Sequence, residues 1–122
     1  MSLVHIGKES RPLVPPSIEG RAVLAKFFQA ISDPSRLALL EFLVNDEHTG
    51  TECVAQLGLA QSRVSSHLLC LVNCGFITVR REGHFAYYRV EDPRVIELVS
   101  LGLEIAADHA AAVAACTRVD TV

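Results

Sequence analysis

A mostly helical chain carrying one small β-hairpin is the fold class that this sequence predicts, and three observations predict it. Apolar residues recur at helical spacing over most of the chain from residue 17 onward. Each such run opens on a capping residue or closes on glycine. One stretch alone, "FITVRREGHFAYYRV", switches to β-prone residues on either side of a turn. The expected order is helix, helix, helix, helix, strand, strand, helix.

Residues 1–16 hold Pro12, Pro15 and Pro16 without periodicity and are expected to be a flexible N-terminal arm. Ser17 caps "IEGRAVLAKFFQAI", where Val23, Leu24, Phe27, Phe28 and Ile31 repeat at helical intervals. The second helix starts on Asp33 as N-cap with Pro34 at its first position, and Leu37, Leu40, Leu43 and Val44 line one side. Thr49 and Glu52 have capping-box spacing for a short third helix that Gly58 stops. After the link "LA" a fourth helix runs from about Gln61 to Cys74, ended by Gly75. Strands over Ile77–Arg81 and Phe85–Val90 flank the turn "EGH". Asp92 and Pro93 repeat the Asp-Pro start for a long last helix reaching Cys116. Apolar residues cover most of its sides, so it needs a partner, most simply its own copy in a homodimer. One domain over 17–116 and a tail over 117–122 follow.

At 122 residues the chain is one domain by length. Its apolar runs fall short of a membrane span, and the N-terminus lacks a basic segment followed by a long apolar stretch. A cytoplasmic location with no membrane partner is therefore expected. Four cysteines in a reducing compartment point to metal binding, redox sensing or packing before disulfides. The total charge is −3, but Gln61 to Val90 carries Arg63, Arg80, Arg81 and Arg89 against Glu82 alone. That stretch is +3, which leaves −6 for the rest. One basic region in acidic surroundings suits a protein that touches a polyanion with one face.

A short helix, a tight glycine-containing link and a second helix make a helix-turn-helix, and the hairpin after it makes a winged version. Major-groove reading needs a helix whose outer side carries short polar groups and a cation. "QSRVSSH" offers Gln61, Ser62, Arg63, Ser65, Ser66 and His67 around an inward Val64. Arg80, Arg81 and His84 of the hairpin are expected to lie along the backbone of double-stranded operator DNA.

"AISDPSRLALLEFL", "GLAQSRVSSHLLCLVNCGFI" and "VRREGHFAYYRV", in that order, resemble the ArsR/SmtB family of winged-helix metal-sensing repressors over about residues 20 to 115. The resemblance implies a homodimer joined through its outer helices, which binds operator DNA and releases it when an inducing metal binds. Ala60 stands where the family usually has a Ser or Thr cap, a loss of about 1 kcal/mol.

Within the fourth helix, setting Val64 at 0° puts the core direction at about 20°, Cys70 near 240° and Cys74 near 280°. Two thiols one turn apart and off the apolar stripe are close enough to share one ion. Thiolates select soft or borderline ions such as Cd(II), Pb(II), Zn(II), Cu(I) or As(III). Cys116, at the end of the last helix, is the candidate third ligand. "CLVNCG" is similar to the motif of the cadmium- and lead-responsive branch typified by CmtR, and that likeness implies Cd(II) or Pb(II) as inducer, with As(III) or Zn(II) as further candidates.

Cys53 resembles the first position of the family's arsenic-sensing "CVC" motif, but Ala55 breaks the chelate, so Cys53 is expected in the core. Asp108 and His109 are adjacent rather than two apart, which argues against the family's other site on the last helix. His5 and His109 are minor ligand candidates. The same fold could instead sense redox state through a Cys70–Cys74 disulfide, though one helical turn is near the geometric limit for that bond. A thiol enzyme or metal buffer that ignores DNA is a more distant alternative. No Cys–His–acid set or phosphate-cradling loop favours an enzyme.

Overall fold

The computed structural model describes residues 18–119. The N-terminal arm, the Ser17 cap, His5 and positions 120–122 lie outside the described residues. Six helices and three strands follow in order: α1 Ile18–Gln29, α2 Pro34–Asn45, β1 His48–Thr49, α3 Gly50–Leu57, α4 Gln61–Asn73, β2 Thr78–Glu82, β3 Phe85–Arg89, α5 Pro93–Asp108 and α6 Ala110–Ala115.

Local chemistry sets most of these boundaries. The Asp33 carboxylate accepts the Arg36 N–H at 3.0 Å, with Pro34 in the first turn where no donor is needed. Thr49 and Glu52 close a capping box: Oγ1 of Thr49 accepts the Glu52 N–H, and Glu52 accepts the Thr49 N–H. Gly58, at φ 69°, then turns the chain in the left-handed region that only glycine enters without strain. Ala60 supplies no side-chain cap to α4, as its chemistry requires. Asp92 caps α5, and the Arg94 guanidinium beside it pulls its carboxyl down to about 2.

Two features depart from the expected order. His48, and Thr49 that also caps α3, form a strand the sequence did not suggest, β1, and pair antiparallel with Tyr88 and Tyr87, so the hairpin becomes a three-stranded sheet ordered β1-β3-β2. The long last helix is interrupted at His109, between α5 and α6. Asp108 and His109 are both poor helix formers, and the break falls on them.

The core is built from Leu39, Leu40 and Leu43 of α2, Cys53 of α3, Val64, Leu68 and Leu71 of α4, and Phe76, Ile77, Val90 and Val95. Leu39 rather than Leu37 faces it, because α2 is the central helix and is apolar on several sides. Phe27 stacks on Phe76 with ring centroids 4.5 Å apart, which fastens α1 to the body. The outer faces find no such cover. Val23, Leu24 and Phe28 of α1 and Leu101, Leu103 and Ile105 of α5 are exposed. Between these helices an apolar groove of about 380 Å³ is lined by Phe28, Ile31, Leu37, Leu98, Val99 and Leu103, among others. The α3–turn–α4 unit, with the β2–β3 hairpin beyond it, is a winged helix-turn-helix.

Candidate nucleic-acid interface and thiol pair

Burial of Val64, Leu68 and Leu71 fixes the rotation of α4 about its axis. The helical period then leaves Gln61, Ser62, Arg63, Ser65 and Ser66 exposed on the far side. Between this surface, the start of α3 and the wing lies a cleft of about 340 Å³. Gln61 and Ser65 line it from α4, Thr51 from α3, and His84 and Phe85 from the wing. Phe85 is 56% exposed. Thr51 and Phe85 were missed by sequence reasoning. Thr51 could have been found from its place in the first turn of the helix preceding the reading helix.

His67 does not join this surface. Its imidazole turns toward α2 and is only 12% exposed. Arg36 holds it: Nη1 donates to His67 Nδ1 at 3.1 Å, while Nε and Nη2 donate to the carbonyls of Ala30 and Gln29. A guanidinium can only donate, so Nδ1 accepts and the neutral ring carries its proton on Nε2. That Nε2 is buried without a hydrogen-bond partner among the described residues, 4.0 Å from Asp33 Oδ2. The backbone N–H of Arg36, ahead of the charge of its guanidinium, keeps the Asp33 carboxyl below its ordinary value. His67 thus joins α4 to the α1–α2 corner.

Charge on the wing is arranged differently from the sequence count. Arg80 donates from Nε and Nη2 to both oxygens of Glu47, at 3.0 and 2.9 Å, and from Nη1 to Glu82. Its guanidinium also lies over the Tyr87 ring, 4.5 Å from the centroid. Arg89 pairs with Glu91 at 3.2 Å. Among the described residues neither Arg63 nor Arg81 has an ion-pair partner. Of the nine residues expected at DNA, Gln61, Ser62, Arg63, Ser65, Ser66, Arg81 and His84 are exposed and uncommitted to a carboxylate, whereas His67 and Arg80 are engaged within the protein.

Cys70 and Cys74 are half-buried on the flank of α4 and pack against the edge of the core, neither sealed in it nor fully turned away. Leu69 and Asn73, not the thiols, are the exposed side chains of this half of the helix. Burial raises the Cys74 thiol above its ordinary value, helped by its contact with Cys70, while Lys26 and Arg36 pull the other way. Two adjacent sulfur donors with cations nearby suit a soft, thiophilic ion. Cys116 follows α6, and among the described residues of one chain no three His, Cys, Asp or Glu side chains gather around a common point. Cys53 is fully buried, and burial pushes its thiol up to about 11, as a packing role requires.

The profile described as "Bacterial regulatory protein, arsR family" matches residues 33–79, from the α2 cap through the reading helix into β2. A protein of Streptomyces lividans named "Probable mercury resistance operon repressor" is 52% identical over 95 residues, covering 78% of this chain and 76% of its own. The chain belongs to the arsR family of bacterial regulatory proteins. The HTH-type transcriptional regulator CmtR of Mycobacterium tuberculosis is more distant within the family, at 33% identity over 92 residues, 72% of this chain and 78% of its own. In fold, this arsR-family chain superposes with a TM-score of 0.71 on the homodimeric winged helix-turn-helix DNA-binding domain Mb0332 of Mycobacterium bovis, at 24% identity over 81% of this chain and 92% of that one. No helix among the described residues is long and apolar enough to cross a membrane.

Proposed function

We propose that this arsR-family chain is a transcriptional repressor that binds operator DNA as a homodimer and releases it when a soft metal ion is captured by Cys70 and Cys74. One observation carries the reading: the two thiols sit on the helix whose other half displays Gln61, Ser62, Arg63, Ser65 and Ser66. Ion capture and base reading therefore share one rigid element. Arg63 and Gln61 suit base edges, and Arg81 and His84 suit the sugar-phosphate backbone. The sequence resemblance points to Cd(II) or Pb(II). The mercury-resistance name of the 52% identical relative moves Hg(II) to first place. As(III) and Zn(II) are weaker candidates. Two sulfurs are a sufficient donor set for Hg(II). A third, from Cys116, would serve Cd(II) or Pb(II), and would have to come from another subunit or from a rearranged chain end.

DNA and metal then oppose each other through linkage, and a coupling of ~3 kcal/mol corresponds to a loss of operator affinity of about 150-fold. Cys70→Ser and Cys74→Ser should each keep metal-free DNA binding within a few-fold and lose the release. Gel shifts of the chain's own promoter fragment with and without Hg(II), Cd(II) and Pb(II) read both quantities. A Cys70→Ser variant that still releases DNA at wild-type metal concentrations removes the pair as the sensor. Release by peroxide without metal would instead support a Cys70–Cys74 disulfide switch. Because burial holds the Cys74 thiol protonated to a higher pH than usual, capture must displace a proton, and apparent metal affinity should rise with pH through the neutral-to-alkaline range.

A further inference from the structure

We infer that Arg80 is a positioning residue of the wing, not a phosphate contact: with Glu47 it forms a strut across the sheet that sets the angle of the Gly83–His84 tip. The inference rests on the DNA-binding reading above and concerns how its wing is aimed. Strand order β1-β3-β2 places β2 on the edge far from β1. From there the Arg80 side chain passes over Tyr87 of β3 to reach Glu47, the residue before β1. One side chain so runs from β2 across β3 to the residue that leads into β1. The support is needed because β1 contributes only two residues to the sheet.

Arg80 commits three of its five N–H donors, and its charge, to two carboxylates rather than to a phosphate. Both oxygens of Glu47 are taken in a bidentate pair, and Glu82 takes the remaining terminal nitrogen. The faces also differ. Strand alternation puts Arg80 with Tyr87 and Phe85 on one face, and Arg81 with Val79, Ala86 and Tyr88 on the other. Ala86 and Tyr88 line the cleft shared with Gln61 and Ser65, which Phe85 also reaches at the hairpin end. Arg81, without an ion-pair partner among the described residues, is therefore the wing's cation for DNA.

Arg80→Ala, Glu47→Gln and Arg81→Ala in the full chain separate these roles. Binding to a duplex of its own promoter region is followed by anisotropy across a salt series. Arg80→Ala and Glu47→Gln should each weaken binding about two- to five-fold, the scale of one exposed ion pair, with the salt slope unchanged. Arg81→Ala should instead lower the slope by about 0.9 per arginine removed from a phosphate. A slope that falls with Arg80→Ala, or binding that tightens with Glu47→Gln because a masked cation is released, overturns the strut. Amide hydrogen exchange of the β2–β3 amides needs no DNA and should quicken in both strut variants. Unchanged protection overturns the strut by itself, whereas a wild-type chain that binds no duplex overturns only the DNA-binding reading.

Discussion

His67 shows how much one side chain's direction decides. It follows Ser65 and Ser66, and its residue type suits a phosphate, yet Arg36 draws it inward between Asp33 and the carbonyls that end α1. Removing the ring leaves three guanidinium bonds reduced to two and opens a gap where α4 meets α2. His67→Ala should destabilise the fold by about 1–2 kcal/mol, since it strips a partner from a part-buried donor. Thermal unfolding checks this. A variant with unchanged melting temperature but weakened, less salt-sensitive DNA binding would return His67 to the DNA surface. Cys53 is the counterpart among the sulfurs. It is a full member of the core, with its thiol held neutral by burial.

At the scale of elements, α4 is the weak point in local design. Its N-cap, Ala60, has the extended backbone of a cap, φ −59° and ψ 146°, but no side chain to accept the exposed N–H groups. Ala60 is itself exposed, so Ala60→Ser adds an acceptor without displacing anything. It should stabilise the chain by about 0.5–1 kcal/mol, seen as a higher denaturant midpoint at constant slope. An unchanged midpoint would show that water already satisfies those donors. Boundaries of this kind were legible in the sequence because capping is local: Asp33, Thr49–Glu52, Gly58, Gly75 and Asp92 act within four residues of themselves. The rotation of α4 was legible too, from Val64, Leu68 and Leu71. What the sequence could not display is pairing across distance. Strand β1 has two residues and exists only because Tyr87 and Tyr88 lie beside it. The count of four arginines against one glutamate overstated the basic region, because Glu47 and Glu91 fold onto it from outside the counted stretch. Half-burial of Cys70 and Cys74 depends in the same way on α1 and α2, which supply Lys26 and Arg36 beside them.

At the scale of the molecule, a single chain leaves its outer helices unfinished. Val23, Leu24 and Phe28 of α1 face solvent together with Leu101, Leu103 and Ile105 of α5, and α6 adds Val113. So many exposed large apolar side chains on two outer elements mark a surface that association would cover. A second copy is the occupant that the proposed function needs, because a repressor with two reading helices gains its grip from engaging two half-sites at once. Leu103 lines the groove between α1, α2 and α5 and is still 56% exposed, so a charge there disturbs the association surface more than the core. Leu103→Glu should convert dimer to monomer in sedimentation, keep the helical circular dichroism, and lower promoter affinity on the order of 10²-fold or more as the tethered second half-site is lost. Metal capture by Cys70 and Cys74 alone would survive in that monomer, whereas capture that draws on Cys116 of another subunit would not. Metal titration of Leu103→Glu, followed by sulfur-to-metal charge-transfer absorption, distinguishes the two: bands of two-thiolate intensity place the site within one chain, and loss of a third-thiolate component places part of it across the interface. A variant that remains dimeric and binds DNA normally would move the association surface away from α5.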